Sequence, residues 1–177
     1  LVLAGLGGGT GSGAAPVIAR ELARLYTEPV YGLGILPGSD EGGIYTLNAA
    51  RSFRTFVREV DNLLVFDNDA WRRSGESLRG GYGRINEEIA RRLGVLLSAG
   101  EVSEPPFPES VVDASEIINT LAGGGVTTIG YANSRLDRPS RGLFGRREPD
   151  PDETDVVNRI TTTVRRATLG NLTLPAN

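Results

Sequence analysis

The run Gly7-Gly8-Gly9-Thr10-Gly11-Ser12-Gly13 constrains this chain more than any other feature. It follows an apolar stretch at residues 1–6 and precedes a helix-compatible stretch beginning at Ala14. A strand, a glycine turn and a helix start in that order build an anion cradle. Glycine tolerates the positive φ angles of a tight turn and admits a ligand close to the main chain. The N–H groups at a helix start, reinforced by the helix dipole, favour phosphate. An ordinary connection takes one or two glycines, and five in seven positions asks for a further reason. The expectation is a nucleotide-binding α/β domain.

The residue types that are missing narrow the chemistry. There is no Cys, His, Met or Lys, so all 19 basic residues are Arg. This excludes a disulfide, a Cys-ligated zinc site, a His-based triad, a Schiff base and the lysine of a P-loop. Carboxylates then carry any acid–base chemistry, with the five tyrosines as lesser candidates. A net charge of −3 gives no basic field for nucleic acid. No apolar run approaches the roughly 20 residues that cross a bilayer, and no signal-peptide pattern is present. A cytoplasmic location without membrane insertion is expected. Arg without Lys fits a GC-rich genome or a salt-loving host. Leu1 stands where an initiator Met would, inside a strand-like run, so an internal piece of a longer protein is expected.

Apolar periodicity predicts strands at residues 1–6, 30–36, 62–66 and 126–132. It predicts helices at 14–26, 47–60, 84–98 and 113–121. The first 36 residues read as one βαβ unit with a parallel strand pair. Ala14, Ile18, Leu22 and Leu25 make the first helix's core stripe, and Ile85, Ile89, Leu93 and Leu96 that of the long helix. Gly80-Gly81 predicts a flexible break and Gly100 a helix end. Residues 101–109 read as a proline-rich loop, 133–155 as a mobile polar insertion, and Val156, Ile160, Val164 and Ala167 as the stripe of a last helix. The division predicted is a nucleotide-binding domain over 1–100 and a loop with a partial second domain over 101–177.

Ligands in open α/β sheets bind at the carboxyl ends of the strands. Two polar loops fall there: residues 37–43, containing Glu41, and the turn Asp67-Asn68-Asp69. Tyr82 and Asn86 lie one helical turn apart and share a face. A ring stacks on a base and an amide pairs with a purine edge. The same residues also read as a loop aromatic and a helix cap, Asn68 as a turn former and Glu41 as a solvated acid. Asp113 and Glu116 fit a capping box before Ile117-Ile118. Residues 9–14 satisfy the loose G-x-G-x-x-A dinucleotide pattern, but Glu28 precedes the next strand instead of ending it. An NAD-type domain of an oxidoreductase is therefore the alternative.

Taken in order, these residues resemble the tubulin/FtsZ superfamily across the whole chain. GGGTGSG at Gly7, Gly8, Gly9, Thr10, Gly11, Ser12 and Gly13 is similar to its signature loop. The stretches YGLGILPGSDEGGIYTLNAARSF and NTLAGGG look most like CetZ, the archaeal tubulin-like family, which is found largely in salt-adapted archaea. The resemblance implies a tubulin/FtsZ-like GTPase domain: an α/β fold with a parallel Rossmann-like sheet, a long central helix and the beginning of a second α+β domain. It implies that Glu41 contacts the ribose, that Asn68, Tyr82 and Asn86 hold the guanine, and that Asp113 and Glu116 polarise the hydrolytic water. GTP and GDP are the implied ligands, with Mg²⁺ held mainly by their phosphates. Tyr45 departs from the pattern, standing where many relatives carry a basic residue, and SEPPFPE lengthens the loop before Asp113.

The predicted helix over 84–98 spans about 22 Å at 1.5 Å per residue. Asn86 lies at one end and the acidic pair follows the other. One nucleotide reaches both only if the intervening loop folds back. Two subunits head to tail solve this simply, and such a heterologous contact propagates as a filament. The expected partner is therefore a second copy of the chain, in a polymer that the resemblance connects with cell shape. A filament protein that binds GTP and hydrolyses it poorly is the third reading.

Overall fold

A computed structural model describes residues 1–72, 75, 78–98, 114–131, 157–158 and 161. Four strands form one parallel sheet in the order β1 (Val2–Gly5), β2 (Tyr31–Leu36), β3 (Asn62–Asp67) and β4 (Val126–Thr127). Register is continuous, with Leu3 opposite Leu33 and Leu33 opposite Leu64. α1 (Gly9–Leu25) and α2 (Gly43–Glu59) connect the first three strands. After β3 come the single turn α3 (Asn68–Trp71), α4 (Leu78–Leu97) and α5 (Ala114–Leu121). The short β4 pairs with β3 at Leu63 and Leu64 and so joins the same sheet.

Alternating side chains of the strands feed two cores. Leu6, Leu63 and Val65 face α1 and α2, meeting Ala15, Ala19 and Phe56. Leu33, Leu64 and Phe66 face the other way, toward Ile85 and Ile89 of α4 and Leu121 of α5. The glycines of β2 make the first core possible. A Cβ at Gly32 would lie 2.8 Å from the Phe56 ring, and one at Gly34 would lie 2.9 Å from Leu6.

The α4 stripe predicted from sequence is present, with Ile85 and Ile89 buried and Leu93 and Leu96 packed against them. The α1 stripe is corrected at Ile18 and Leu25, while Leu22 packs against the core as predicted. Ala15, Pro16 and Ala19 are buried, while Ile18 and Leu25 are 50% and 75% exposed. Helix α1 begins at Gly9 and not at Ala14, and Ala15 and Ala19 form the face that packs into the core. β1 is present as expected, with Leu3 half exposed and only one face of the strand covered. α4 starts six residues earlier than predicted and takes Gly80-Gly81 in as ordinary helix. β4 is two residues long, not seven. Gly100, the loop at 101–109, the insertion at 133–155 and Val156, Ile160, Val164 and Ala167 lie outside the described residues.

Candidate nucleotide site

The glycine turn is half loop and half helix. Gly8 is the N-cap of α1, and Ser12 N–H donates the first helical bond to Gly8 O at 3.0 Å. No side chain caps this end, and no acidic residue occupies the first turn. The N–H groups of Gly9, Thr10 and Gly11 precede the first intrahelical bond and are the donors a helix start offers to an anion. None of the seven loop residues has a positive φ, which overturns that part of the sequence argument for glycine. The reason is close packing at two positions. A Cβ at Gly11 would lie 2.1 Å from Gly5 O, and one at Gly7 would lie 2.9 Å from Pro37 and 3.2 Å from Tyr45. At Gly8, Gly9 and Gly13 a Cβ meets nothing within 4 Å. Those three glycines have no internal reason to be glycine.

The carboxyl ends of β1, β2 and β3 carry the glycine turn, the Glu41 loop and Asn68 to one edge of the sheet. Asn48, in α2, donates to Gly7 O at 3.1 Å and pins the turn. Its helical position carries no motif signal, and the sequence reading missed it. Glu41 folds back within its loop and accepts from Gly38 N–H at 2.6 Å. Glu41 also hydrogen-bonds the Tyr82 hydroxyl, so the start of α4 is brought onto the same site. Partial desolvation of a side chain that is still 37% exposed comes first, and Glu41 second, in pushing the Tyr82 phenol up to about 12. Asn86 is exposed one turn further along α4. Asn68 is buried at 7% exposure, and its Oδ1 has no hydrogen-bond partner among the described residues.

The turn after β3 is held by its own acids. Asp67 accepts from Asp69 N–H at 2.9 Å, capping the single turn that carries Asn68. Behind it, Trp71 stacks on Phe66 with ring centroids 5.6 Å apart. The buried Arg92 guanidinium lies 4.3 Å from the Trp71 ring centre and pairs with Glu88 at 2.6 Å. That bond from Arg92, more than any other contact, holds the Glu88 carboxyl below its ordinary range. Arg92 is a second element that composition alone did not reveal: it reads as a solvated charge, yet it is 4% exposed.

Glu116 is not in this cluster. It is exposed in the first turn of α5 and lines an open cleft of about 490 Å³ with Leu96 and Ile129. Leu96 is fourteen residues beyond Tyr82 on α4, about 21 Å along the axis at 1.5 Å per residue. Asp113 lies outside the described residues.

A parallel sheet with an uncapped glycine-rich helix start, acid and amide at the strand ends and a long helix behind defines a tubulin/FtsZ-type nucleotide-binding fold. Residues 1–76 match the tubulin/FtsZ family GTPase domain, and residues 75–177 match the tubulin-like CetZ C-terminal domain. The chain belongs to the CetZ family of tubulin-like proteins. It is 72% identical over 181 residues to tubulin-like protein CetZ3 of Haloferax volcanii, covering 99% of this chain and 46% of that protein. Among solved structures it resembles GDP-bound monomeric CetZ1 from the same organism, with 63% identity and a TM-score of 0.74 over 99% of this chain and 45% of that one. It also resembles the GTPγS-bound protofilament of Haloferax volcanii CetZ2, with 49% identity and a TM-score of 0.78 over 96% of this chain and 45% of that one. The chain spans about half the length of the curated relatives it matches. Among the described residues no helix is long and apolar enough to cross a membrane.

Proposed function

We propose that this protein binds and hydrolyses GTP, polymerises head to tail and acts in the control of cell shape in the cytoplasm. The observation that carries the reading is the gathering of the glycine turn, Glu41, Asn68 and Tyr82 at one edge of the sheet. Gly8 and Gly9 have neither a positive φ nor a neighbour that excludes a side chain, and a phosphate seated on the backbone supplies the missing reason. The Asn68 Oδ1 is an acceptor without a partner among the described residues, and the N1–H and 2-amino donors of guanine suit it. Glu41 takes a ribose hydroxyl, and Tyr82 and Asn86 flank the base. The family match leaves the NAD-type alternative without support.

Hydrolysis is assigned to the junction between subunits. Glu116 lines the cleft that also holds Leu96, and Leu96 stands about 21 Å along α4 from the level of Tyr82, so the acidic loop and the nucleotide edge are separated within one chain. In a head-to-tail polymer the neighbour's α5 start, with Asp113 and Glu116, meets the γ-phosphate and orients the attacking water. Phosphoryl transfer asks little more of the protein than positioning and charge stabilisation. Mg²⁺, held mainly by the nucleotide phosphates, would neutralise charge there; no three acidic side chains converge on a metal site among the described residues. Kinship with CetZ2, whose solved structure is a GTPγS-bound protofilament, supports this arrangement. We place the boundary between the two domains near Glu101, whereas the two family matches meet at residues 75–76.

Calorimetric titration of the full-length protein tests the ligand. GTP should bind, and ATP and NAD should not compete; equal binding of ATP would overturn the guanine reading. GTP turnover should rise steeply at concentrations that form filaments, and Glu116→Ala should form filaments with turnover at least tenfold lower. Filaments of the unaltered protein that show no turnover would favour a GTP-binding polymer without hydrolysis.

A further inference from the structure

We propose that Asp69 is the positioning residue that sets the sugar-contacting Glu41 relative to the base-contacting Asn68. Nucleotide sugar selectivity then depends on a side chain that contacts neither sugar nor base. The proposal rests on the reading of Glu41 and Asn68 given above. Asn68 and Glu41 belong to different strand ends, and nothing in either local turn determines the distance between them. Asp69 does. Both of its carboxylate oxygens face Ser39 N–H, at 3.0 and 2.9 Å, thirty residues away in sequence. Asp69 thus ties the turn after β3 to the loop after β2.

Three further contacts make the tie stiff. Arg72, one residue past α3, forms an ion pair with Asp40 in the same loop. Gly38 is enclosed from three sides, since a Cβ there would lie 3.0 Å from Asp40, 3.2 Å from Asp69 and 3.3 Å from Arg72. The loop is closed on itself by Glu41 N–H donating to Gly38 O at 3.0 Å and by Glu41 Oε1 accepting from Gly38 N–H. A displacement of Ser39 is therefore transmitted to Glu41 two residues on. The base side is insulated from the same change. Asp67 caps the turn through the Asp69 backbone N–H, which either substitution tested below retains.

The signature is selective. In the full-length protein, GTP, 2′-deoxy-GTP, 3′-deoxy-GTP and ATP are compared by calorimetric titration. The unaltered protein should prefer GTP to at least one deoxy analogue and reject ATP. Asp69→Ala should bind GTP about tenfold more weakly, the size expected on losing one charge-assisted bond. Its preference for GTP over that deoxy analogue should disappear, while ATP is still rejected. Asp69→Asn keeps an acceptor oxygen and should recover part of the sugar preference. It also carries the test should the alanine variant fail to fold. A general loosening of the fold would erode base and sugar selectivity together, and that result would overturn the positioning role. An Asp69→Ala protein with unchanged sugar preference overturns the role of Asp69 alone. An unaltered protein that rejects ATP yet treats all the guanine nucleotides alike removes the Glu41 contact, and the inference with it.

Discussion

Single glycines in the nucleotide turn do different work, and substitution separates them. Gly11→Ala drives a methyl group into Gly5 O, a backbone atom that cannot turn aside. Overpacking of this kind costs about 1–3 kcal/mol or more, and a lower denaturation midpoint should report it. Gly9→Ala meets no neighbour and replaces glycine at a helix start, so stability should hold or rise slightly. Its cost should appear in GTP affinity, read by titration, if the phosphates approach the helix start as proposed. Tyr82 offers a second residue-scale test. Its phenol is raised to about 12, chiefly by burial and then by Glu41. The folded state holds the proton more tightly than the unfolded chain does. This contribution to stability is complete below about pH 10 and is lost as pH rises from 10 toward 12. Ultraviolet titration of the tyrosines should show Tyr82 ionising late. In Glu41→Gln it should ionise earlier but still above its ordinary value, since burial remains.

At the scale of elements, α4 is attached to the sheet by a polar wedge as well as by its apolar stripe. Arg92 is buried between Glu88 and the Trp71 ring, and Arg84 donates to Trp71 O. α4 is thereby tied to the turn that carries Asn68. Glu88→Ala leaves the Arg92 guanidinium buried without its carboxylate, a loss of about 3 kcal/mol, measurable by chemical denaturation of the full-length protein. The pH dependence has a definite sign. The Glu88 carboxyl is held below its ordinary value of 4.5, first by the bond from Arg92. Its contribution is present above that value and is lost as pH falls through the lower folded one. Acid unfolding of Glu88→Gln should accordingly be less steep in that window. The periodicity of α4 was legible because Ile85, Ile89, Leu93 and Leu96 keep a helical spacing against one sheet face. Its start was not legible, because Gly80 and Gly81 disfavour helix locally, yet both lie inside α4. The α1 boundary failed for the same reason: five glycines within residues 7–13 read as loop, yet Gly11 is held against Gly5 as helix.

For the whole molecule, the separation of the nucleotide edge from Glu116 predicts complementation between subunits. A Glu116→Ala protein and a protein disabled at Asn68 should each turn over GTP poorly as pure polymers. Mixed, they should recover part of the activity, since an intact nucleotide site can then meet an intact acidic loop from a neighbour. No recovery in co-assembled filaments would remove the shared site. Much of this was visible in the chain itself. Residue types and their order determined the strand–glycine–helix sequence, the parallel βαβ start, the exclusion of lysine and histidine chemistry and the family resemblance, because these follow from composition, local pattern and the order of motifs along the chain. Tertiary structure alone decided what spans tens of residues. It brought Asp69 to Ser39 and Asn48 to Gly7. Spacing along the chain foretells that these loops meet at one sheet edge, but which side chain pairs with which across them depends on the packed three-dimensional arrangement.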